Sequence, residues 1–188
     1  MNKNILFVIT IFLLVSNLVS AQSLDNLDIK NGFRHFKLGS TPAQIKNIIK
    51  EENHFLENPD IVAYTYIGND IDKVFFVETY EVRLTFYKNK LVGITISFGD
   101  YGKPFMEYEF NQILKALEEI YGKNWGNPNN NDGIILNGAI WNGKNVRLEL
   151  LRLDFSKSKT NPKDFGFISG YISVFDKKLN NEMISSEF

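Results

Sequence analysis

Apolar and polar residues alternate along two neighbouring stretches in the first half of the chain. Within residues 80–87, the apolar positions 82, 84 and 86 alternate with positions 83, 85 and 87. Within residues 91–98, the apolar positions 94, 96 and 98 alternate with Thr95 and Ser97. Strict alternation is typical of a β-strand that buries one face and leaves the other to solvent, because successive side chains point to opposite sides. The stretches are separated by Lys88-Asn89-Lys90. The pattern therefore predicts an antiparallel hairpin with a tight turn at these residues.

A second hairpin is predicted in the other half of the chain. Residues 134–141 and 146–150 read as its strands, and Asn142-Gly143 lies between them. This dipeptide is the pair that best fits a type I′ turn. Shorter apolar runs predict three more strands, and they cover residues 61–67, 74–77 and 165–175.

Two helices are predicted from apolar residues that recur every three or four positions. The first begins at Thr41 with a capping box and fades by Asn53. The second runs over residues 104–121, and Gly122 fits its C-cap because glycine accepts a positive φ. The polar tail from Asp176 allows either a short helix or a frayed end.

The two halves of the chain repeat one order of elements, a helix followed by strands. Val82-Arg83-Leu84 recurs as Val146-Arg147-Leu148, 64 residues later, and the helix from Thr41 has its counterpart near Phe105, also 64 residues later. Residues 94–98 resemble residues 171–175 at an offset of 77. We therefore predict an internal duplication.

The duplication predicts an α+β fold in one globular domain over residues 22–188. A lead-in over residues 22–40 precedes a first α–β repeat over 41–101, and a second repeat over 102–177 precedes a tail over 178–188. Their strands are expected to form one antiparallel sheet of six or seven strands. Both helices are expected on one face of that sheet, which leaves the opposite face open.

In this order of elements the chain resembles the exported β-lactamase-inhibitor-like proteins. Those proteins consist of tandem helix-plus-antiparallel-sheet units and bind a protein through the open face of the sheet. The resemblance implies a binding role for the open face here. The absence of cysteine departs from that group, in which disulfides are familiar. The chain is also similar to small exported proteins of Bacteroidetes-type bacteria.

Residues 1–21 have the pattern of a cleavable secretory signal peptide. Lys3 supplies a positive start, residues 5–15 are apolar except for one threonine, and Val19-Ser20-Ala21 places small residues at a cleavage site. The apolar run is shorter than the roughly 20 residues of a membrane-spanning helix. We therefore predict an exported protein, periplasmic or extracellular. It is not expected to be lipid-anchored, because no cysteine is available for acylation.

Composition narrows the chemistry of the chain. After residues 1–21, 20 basic and 22 acidic residues remain, without a dense basic cluster, so a nucleic-acid partner is not expected. With no cysteine in the sequence, thiol catalysis and cysteine-ligated metals are excluded. The two histidines, His35 and His54, occur without a metal-binding motif. No cofactor, metal site or catalytic residue is assigned, and the protein is predicted not to be an enzyme.

The open sheet face is the candidate site. Arginine and tyrosine are enriched at binding hot spots, and five residues are assigned to this surface: Arg83, Tyr87, Trp141, Arg147 and Tyr171. An ordinary half-solvated sheet explains the same pattern. Three hypotheses follow, in order of preference. They are a non-enzymatic binding or inhibitor-like module for a protein or envelope partner, a binder of small apolar ligands between helices and sheet, and a hydrolase that uses His35 or His54.

Overall fold

A computed structural model of the chain describes residues 24–52, 58–100, 102–157 and 168–186. The predicted signal peptide, His54 and the first three residues of the predicted last strand lie outside these ranges.

Three helices and eleven strands make up the described chain. Helix α1 covers residues 24–30. The others are α2 (Glu107–Tyr121) and α3 (Lys177–Ser185). The strands are β1 (Gly32–Phe33), β2 (Phe36–Lys37), β3 (Ile48–Lys50), β4 (Ile61–Tyr66), β5 (Lys73–Val74), β6 (Val77–Glu78), β7 (Glu81–Tyr87), β8 (Lys90–Phe98), β9 (Ile135–Asn142), β10 (Val146–Asp154) and β11 (Ile168–Asp176).

Seven of the strands form one antiparallel sheet in the order β3-β4-β7-β8-β11-β10-β9. The pairs β1–β2 and β5–β6 are separate short hairpins. The predicted α+β fold with a seven-stranded antiparallel sheet is therefore confirmed. The predicted run at 74–77 does not join this sheet, because it spans the tip of the β5–β6 hairpin.

One face of the sheet carries the main core. The alternating apolar residues of β7, β8, β10 and β11 are buried there, and α2 covers them with Phe110, Ile113, Leu117 and Tyr121. Helix α1 contributes Leu27 to the same core. Gly170 of β11 makes room for Phe105, because a Cβ built at Gly170 lies 2.2 Å from a ring carbon of that phenylalanine. Two helices thus lie on the core face, although α1 was expected to be a loose lead-in.

The prediction of a helix that begins at Thr41 is wrong. The capping box forms, with the Thr41 amide donating to Gln44 Oε1 at 2.8 Å, but only one 3-10 turn follows, over Pro42–Gln44. Ile45 is already extended, and Asn47 has a φ of 58°. The chain then forms β3, which pairs with β4 at the sheet edge.

A turn of type I′ forms in the first hairpin, whereas the sequence predicts it only for the second. Lys88 and Asn89 both have positive φ and connect β7 to β8 in two residues, as in a type I′ turn. Asn142 and Gly143 do not have positive φ, so the predicted type I′ turn between β9 and β10 is wrong. A longer loop over residues 143–145 replaces it, and the Asp28 carboxylate of α1 holds that loop.

A β-bulge at the start of β8 places apolar residues on the face opposite the core. Phe86 pairs with Leu91 and Thr85 with Gly93, so Val92 is the extra residue. Val92, Ile61 and Tyr87 form a second buried cluster, and Leu179 and Met183 of α3 pack against it. Helix α3 therefore covers one end of the second face, and the remainder is called the open face below.

The strands of the predicted repeat occupy equivalent positions on either side of the β8–β11 pair, since β7 adjoins β8 as β10 adjoins β11. Residues 82–86 and 146–150 are also in phase, with core side chains at matching positions. The offset of 77 for residues 94–98 is out of phase, because Ile94 is a core residue whereas Tyr171 faces away from the core. The duplication itself remains a prediction.

Candidate binding surface

The structure brings three of the five predicted site residues together on the open face. Arg83 of β7, Arg147 of β10 and Tyr171 of β11 alternate with buried core residues on their strands, and each is partly exposed. Tyr87 lies on the same face but is buried beneath α3. The prediction that Trp141 belongs to this surface is wrong. It is fully buried in the main core, where its Nε1 donates to the Gly122 carbonyl at 2.8 Å.

A carboxylate from the sheet edge orients Arg83. Glu51 follows β3, and its Oε2 lies 2.6 Å from a guanidinium nitrogen of Arg83. The Thr65 hydroxyl donates to the other oxygen of Glu51 at 3.1 Å. Because two partners hold the carboxylate, Arg83 is restricted to few rotamers while 43% of its side chain remains exposed.

Arg147 is held by a carboxylate two residues along its own strand. A guanidinium nitrogen of Arg147 lies 2.6 Å from Glu149 Oε1, and the guanidinium carbon lies 5.8 Å from the Phe175 ring centre. The Nε of Arg147 is buried and has no hydrogen-bond partner within the described part of the chain. A buried donor without a partner costs about 1–3 kcal/mol. This atom is the least satisfied polar group of the arginine.

A polar row crosses four neighbouring strands between the two arginine–glutamate pairs. The strand register places Arg83 opposite Thr95, Thr95 opposite Ser173, and Ser173 opposite Glu149. The Thr95 and Ser173 hydroxyl oxygens are 3.5 Å apart. Short side chains at the middle of the row, with longer charged ones at its ends, make the centre of the face lower than its flanks.

A hollow of about 180 Å³ lies where α3 meets this row. Gly93 lines the hollow and has no side chain to fill it. A Cβ built at Gly93 would lie about 4 Å from the Cβ atoms of Phe175 and Thr85, which is ordinary van der Waals contact. Asn180 and Met183 of α3 form one wall. The open face thus combines a hydroxyl-lined centre, two oriented arginines and an aromatic ring.

His35 lies outside this face, at the tip of the β1–β2 hairpin. Its Nδ1 is 3.1 Å from Asp70 Oδ2, and the Tyr66 hydroxyl donates to the other oxygen of Asp70. The Tyr66 hydrogen bond lowers the pKa of Asp70, and the same bond raises the pKa of Tyr66. Asp70 is the only ion-pair partner of His35 among the described residues, and no serine in these ranges forms a hydrogen bond with His35.

Neither a metal-binding cluster nor a membrane-spanning helix occurs in the described ranges. These residues contain no group of three or more His, Asp or Glu side chains placed to hold a metal ion. None of the helices in the described ranges is long and apolar enough to cross a membrane.

Comparison with known proteins yields a family assignment. The family described as the TP0088 domain matches residues 31–185, so the chain belongs to that family. The match begins just after α1 and includes both arginine–glutamate pairs and α3. No curated protein matches the chain significantly. The same holds for solved structures.

Proposed function

We propose that this member of the TP0088 domain family is an exported, non-enzymatic binding module that engages a protein partner through its open sheet face. The observation that carries the proposal is the row from Arg83 through Thr95 and Ser173 to Glu149. Export is proposed from the signal-peptide pattern of residues 1–21.

The two arginines favour a binding role because each is already oriented. An arginine held by a carboxylate loses little additional side-chain freedom when a partner docks, which lowers the entropic cost of association. Arginine and tyrosine are also the residues that most often dominate binding energy.

The two other hypotheses have weaker support. A small apolar ligand needs a pocket of about 300–1,000 Å³. The hollow that reaches Phe98 and Phe105 at the edge of the core measures about 90 Å³. Hydrolysis at His35 has less support because no serine or threonine hydroxyl forms a hydrogen bond with His35 among the residues that the structure describes.

The absence of native cysteine allows a single-cysteine cross-linking test. Tyr171→Cys places a thiol-reactive cross-linker on the open face, and Lys115→Cys places the same reagent on the exposed side of α2. Both proteins are exposed to envelope and culture fractions. We expect a defined protein adduct with Tyr171→Cys that is missing with Lys115→Cys.

The adduct should also depend on the two arginines. Adding Arg83→Ala and Arg147→Ala to Tyr171→Cys is expected to reduce its yield at least tenfold. Adding Lys46→Ala and Lys90→Ala, two exposed lysines outside the polar row, is the matched control and should leave the yield unchanged. The proposal is refuted if adducts form equally at both cysteines. It is also refuted if the adduct yield is unchanged by Arg83→Ala and Arg147→Ala.

A further inference from the structure

A second concave surface lies on the other side of α3 from the open-face hollow. It is a cleft of about 930 Å³ between α3, the Lys88–Asn89 turn and the loop over residues 143–145. Residues 178, 181, 182 and 185 of α3 line this cleft, whereas Leu179 and Met183 point to the sheet. The helix therefore separates two distinct surfaces. We call this one the lysine cleft.

Four lysines from three separate elements converge on the lysine cleft. Lys88 comes from the turn between β7 and β8, Lys144 from the loop between β9 and β10, and Lys177 and Lys178 from the start of α3. Four ammonium groups that line one cleft offer several positive charges to a single ligand. An anion in the cleft can therefore interact with more than one of them.

Two carboxylates, Asp176 and Glu182, line the cleft beside its four lysines, and Asp60 acts on Lys88 from outside the lining. Asp176 accepts a hydrogen bond from the Leu179 amide at 2.8 Å and serves as the N-cap of α3. Glu182 lies 4.0 Å from Lys178 on the exposed side of the helix. Lys144 makes no ion pair within the described ranges. Lys88 lies 4.9 Å from the centre of the Tyr87 ring.

The frame of the lysine cleft is tied at both ends of α3. At the start, the Lys177 backbone amide donates to the Asn145 carbonyl at 2.9 Å, and its ammonium donates to the Gly143 carbonyl at 3.0 Å. At the end, the Ser186 hydroxyl accepts from Asn58 Nδ2 at 2.9 Å. Hydrogen bonds from Ser186 and Lys88 lower the pKa of Tyr87, which lies beneath this end of the helix.

We propose that the lysine cleft binds a phosphate-bearing polyanion. Its volume lies within the range of about 300–1,000 Å³ typical of ligand sites. Four lysines suit a ligand with more than one negative charge, and the Asn145 and Asn181 amides offer neutral donors beside them. The same chemistry is presented by a soluble diphosphate and by an anionic phospholipid headgroup. The proposal is independent of the open face.

The first test uses inorganic diphosphate as the probe. Chemical shifts of the backbone amides are followed by NMR during titration of the purified protein, and the dissociation constant is measured by calorimetry. We expect saturable binding with the largest shifts at residues 143–145 and 177–178. In the double variant Lys88→Gln/Lys144→Gln, affinity should fall at least tenfold. Lys46→Gln/Lys115→Gln changes the net charge equally outside the lysine cleft and should alter affinity less than twofold.

The second test identifies the source of the phosphate. Vesicles of phosphatidylcholine with and without phosphatidylglycerol are sedimented with the protein and with both double variants. Vesicle binding that requires phosphatidylglycerol and Lys88/Lys144 indicates a headgroup, whereas binding of diphosphate alone indicates a soluble ligand. Both outcomes support the lysine cleft.

The proposal is overturned if neither probe binds, or if both double variants weaken binding equally, because that is nonspecific charge attraction. Thermal unfolding is measured for each variant. If Lys88→Gln/Lys144→Gln does not fold, the affinity of Lys178→Gln is measured instead. This variant is expected to fold because 87% of the Lys178 side chain is exposed. Its affinity must then fall at least threefold relative to Lys115→Gln, and an unchanged affinity rejects the lysine cleft.

Discussion

A single carboxylate joins α1 to the loop between β9 and β10 at the edge of the sheet. Asp28 of α1 accepts three backbone hydrogen bonds from the β9–β10 loop, from the amides of Lys144 and Asn145 at 2.7 Å and of Val146 at 2.8 Å. Leu27 beside it is fully buried. This contact substitutes for the type I′ turn that the loop does not form, so both the loop and the docking of α1 depend on it.

The expected cost of Asp28→Ala follows from these bonds. A hydrogen bond to a charged group contributes about 1.5–3 kcal/mol net. The three bonds share one carboxylate, and water re-solvates the loop amides when it is lost, so the contributions do not add fully. We therefore expect the free energy of unfolding to fall by about 3 kcal/mol. For a domain of this size, that loss lowers the melting temperature by about 6–12 °C.

Urea unfolding followed by circular dichroism measures this change, and Asp25→Ala is the matched control. Asp25 is an exposed carboxylate on the same helix, and its removal should cost less than about 0.5 kcal/mol. Asp28→Asn should give an intermediate loss, because an amide keeps one acceptor and turns a donor towards the loop. If Asp28→Ala costs no more than Asp25→Ala, the carboxylate does not hold the loop in solution.

Two further predictions concern a strained turn and acid stability. Phe76 has a φ of 71° and is 89% exposed, so Phe76→Gly should raise the free energy of unfolding by about 1 kcal/mol. Phe76→Ala, which keeps a Cβ, should not, and equal effects would contradict the strain. The Ser156 hydrogen bond lowers the pKa of Asp154 below its ordinary value of 3.8. A folded pKa below the unfolded one adds stability above the unfolded pKa, and that stability is lost as pH falls through the folded pKa. Asp154→Asn should therefore be less stable than the native chain at about pH 6, with the difference vanishing by about pH 2; a pH-independent difference in urea midpoint would refute this.

The strands were predictable from local sequence, whereas the element at Thr41 was not. Strand alternation is read along one segment, and the core residues of β7, β8 and β10 follow it. The isoleucines at 45, 48 and 49 have helical spacing, but residues 48–50 instead pair with Tyr64–Tyr66 of β4. That pairing is a long-range contact, and the local pattern contains no trace of it. The capping box correctly marked a helical start without specifying the length of the helix.

Local patterns also determined which site residues could be predicted, because they do not reveal long-range contacts. Arg83, Arg147 and Tyr171 were placed on the open face because alternation alone determines the face of a strand residue. Glu51 was missed as the partner of Arg83, because the ion pair joins residues 32 positions apart across two strand pairings. Trp141 was misplaced for a different reason. It lies next to the β9–β10 turn, but it pairs with the buried core residue Leu148 and points into the main core.

Helix α3 covers part of the sheet face opposite the main core and so limits the area of the open face. The docking of α3 depends on the bulge at Val92. Without the bulge, the alternation of β8 would direct Val92 into the main core and leave Ile61 and Tyr87 without a third apolar neighbour. The extra residue turns Val92 outward and completes the cluster on which Leu179 and Met183 pack. Because the helix is tied there, one of its sides borders the polar row and the other forms the lysine cleft. One extra residue in a strand therefore creates the boundary between the two surfaces for which binding is proposed.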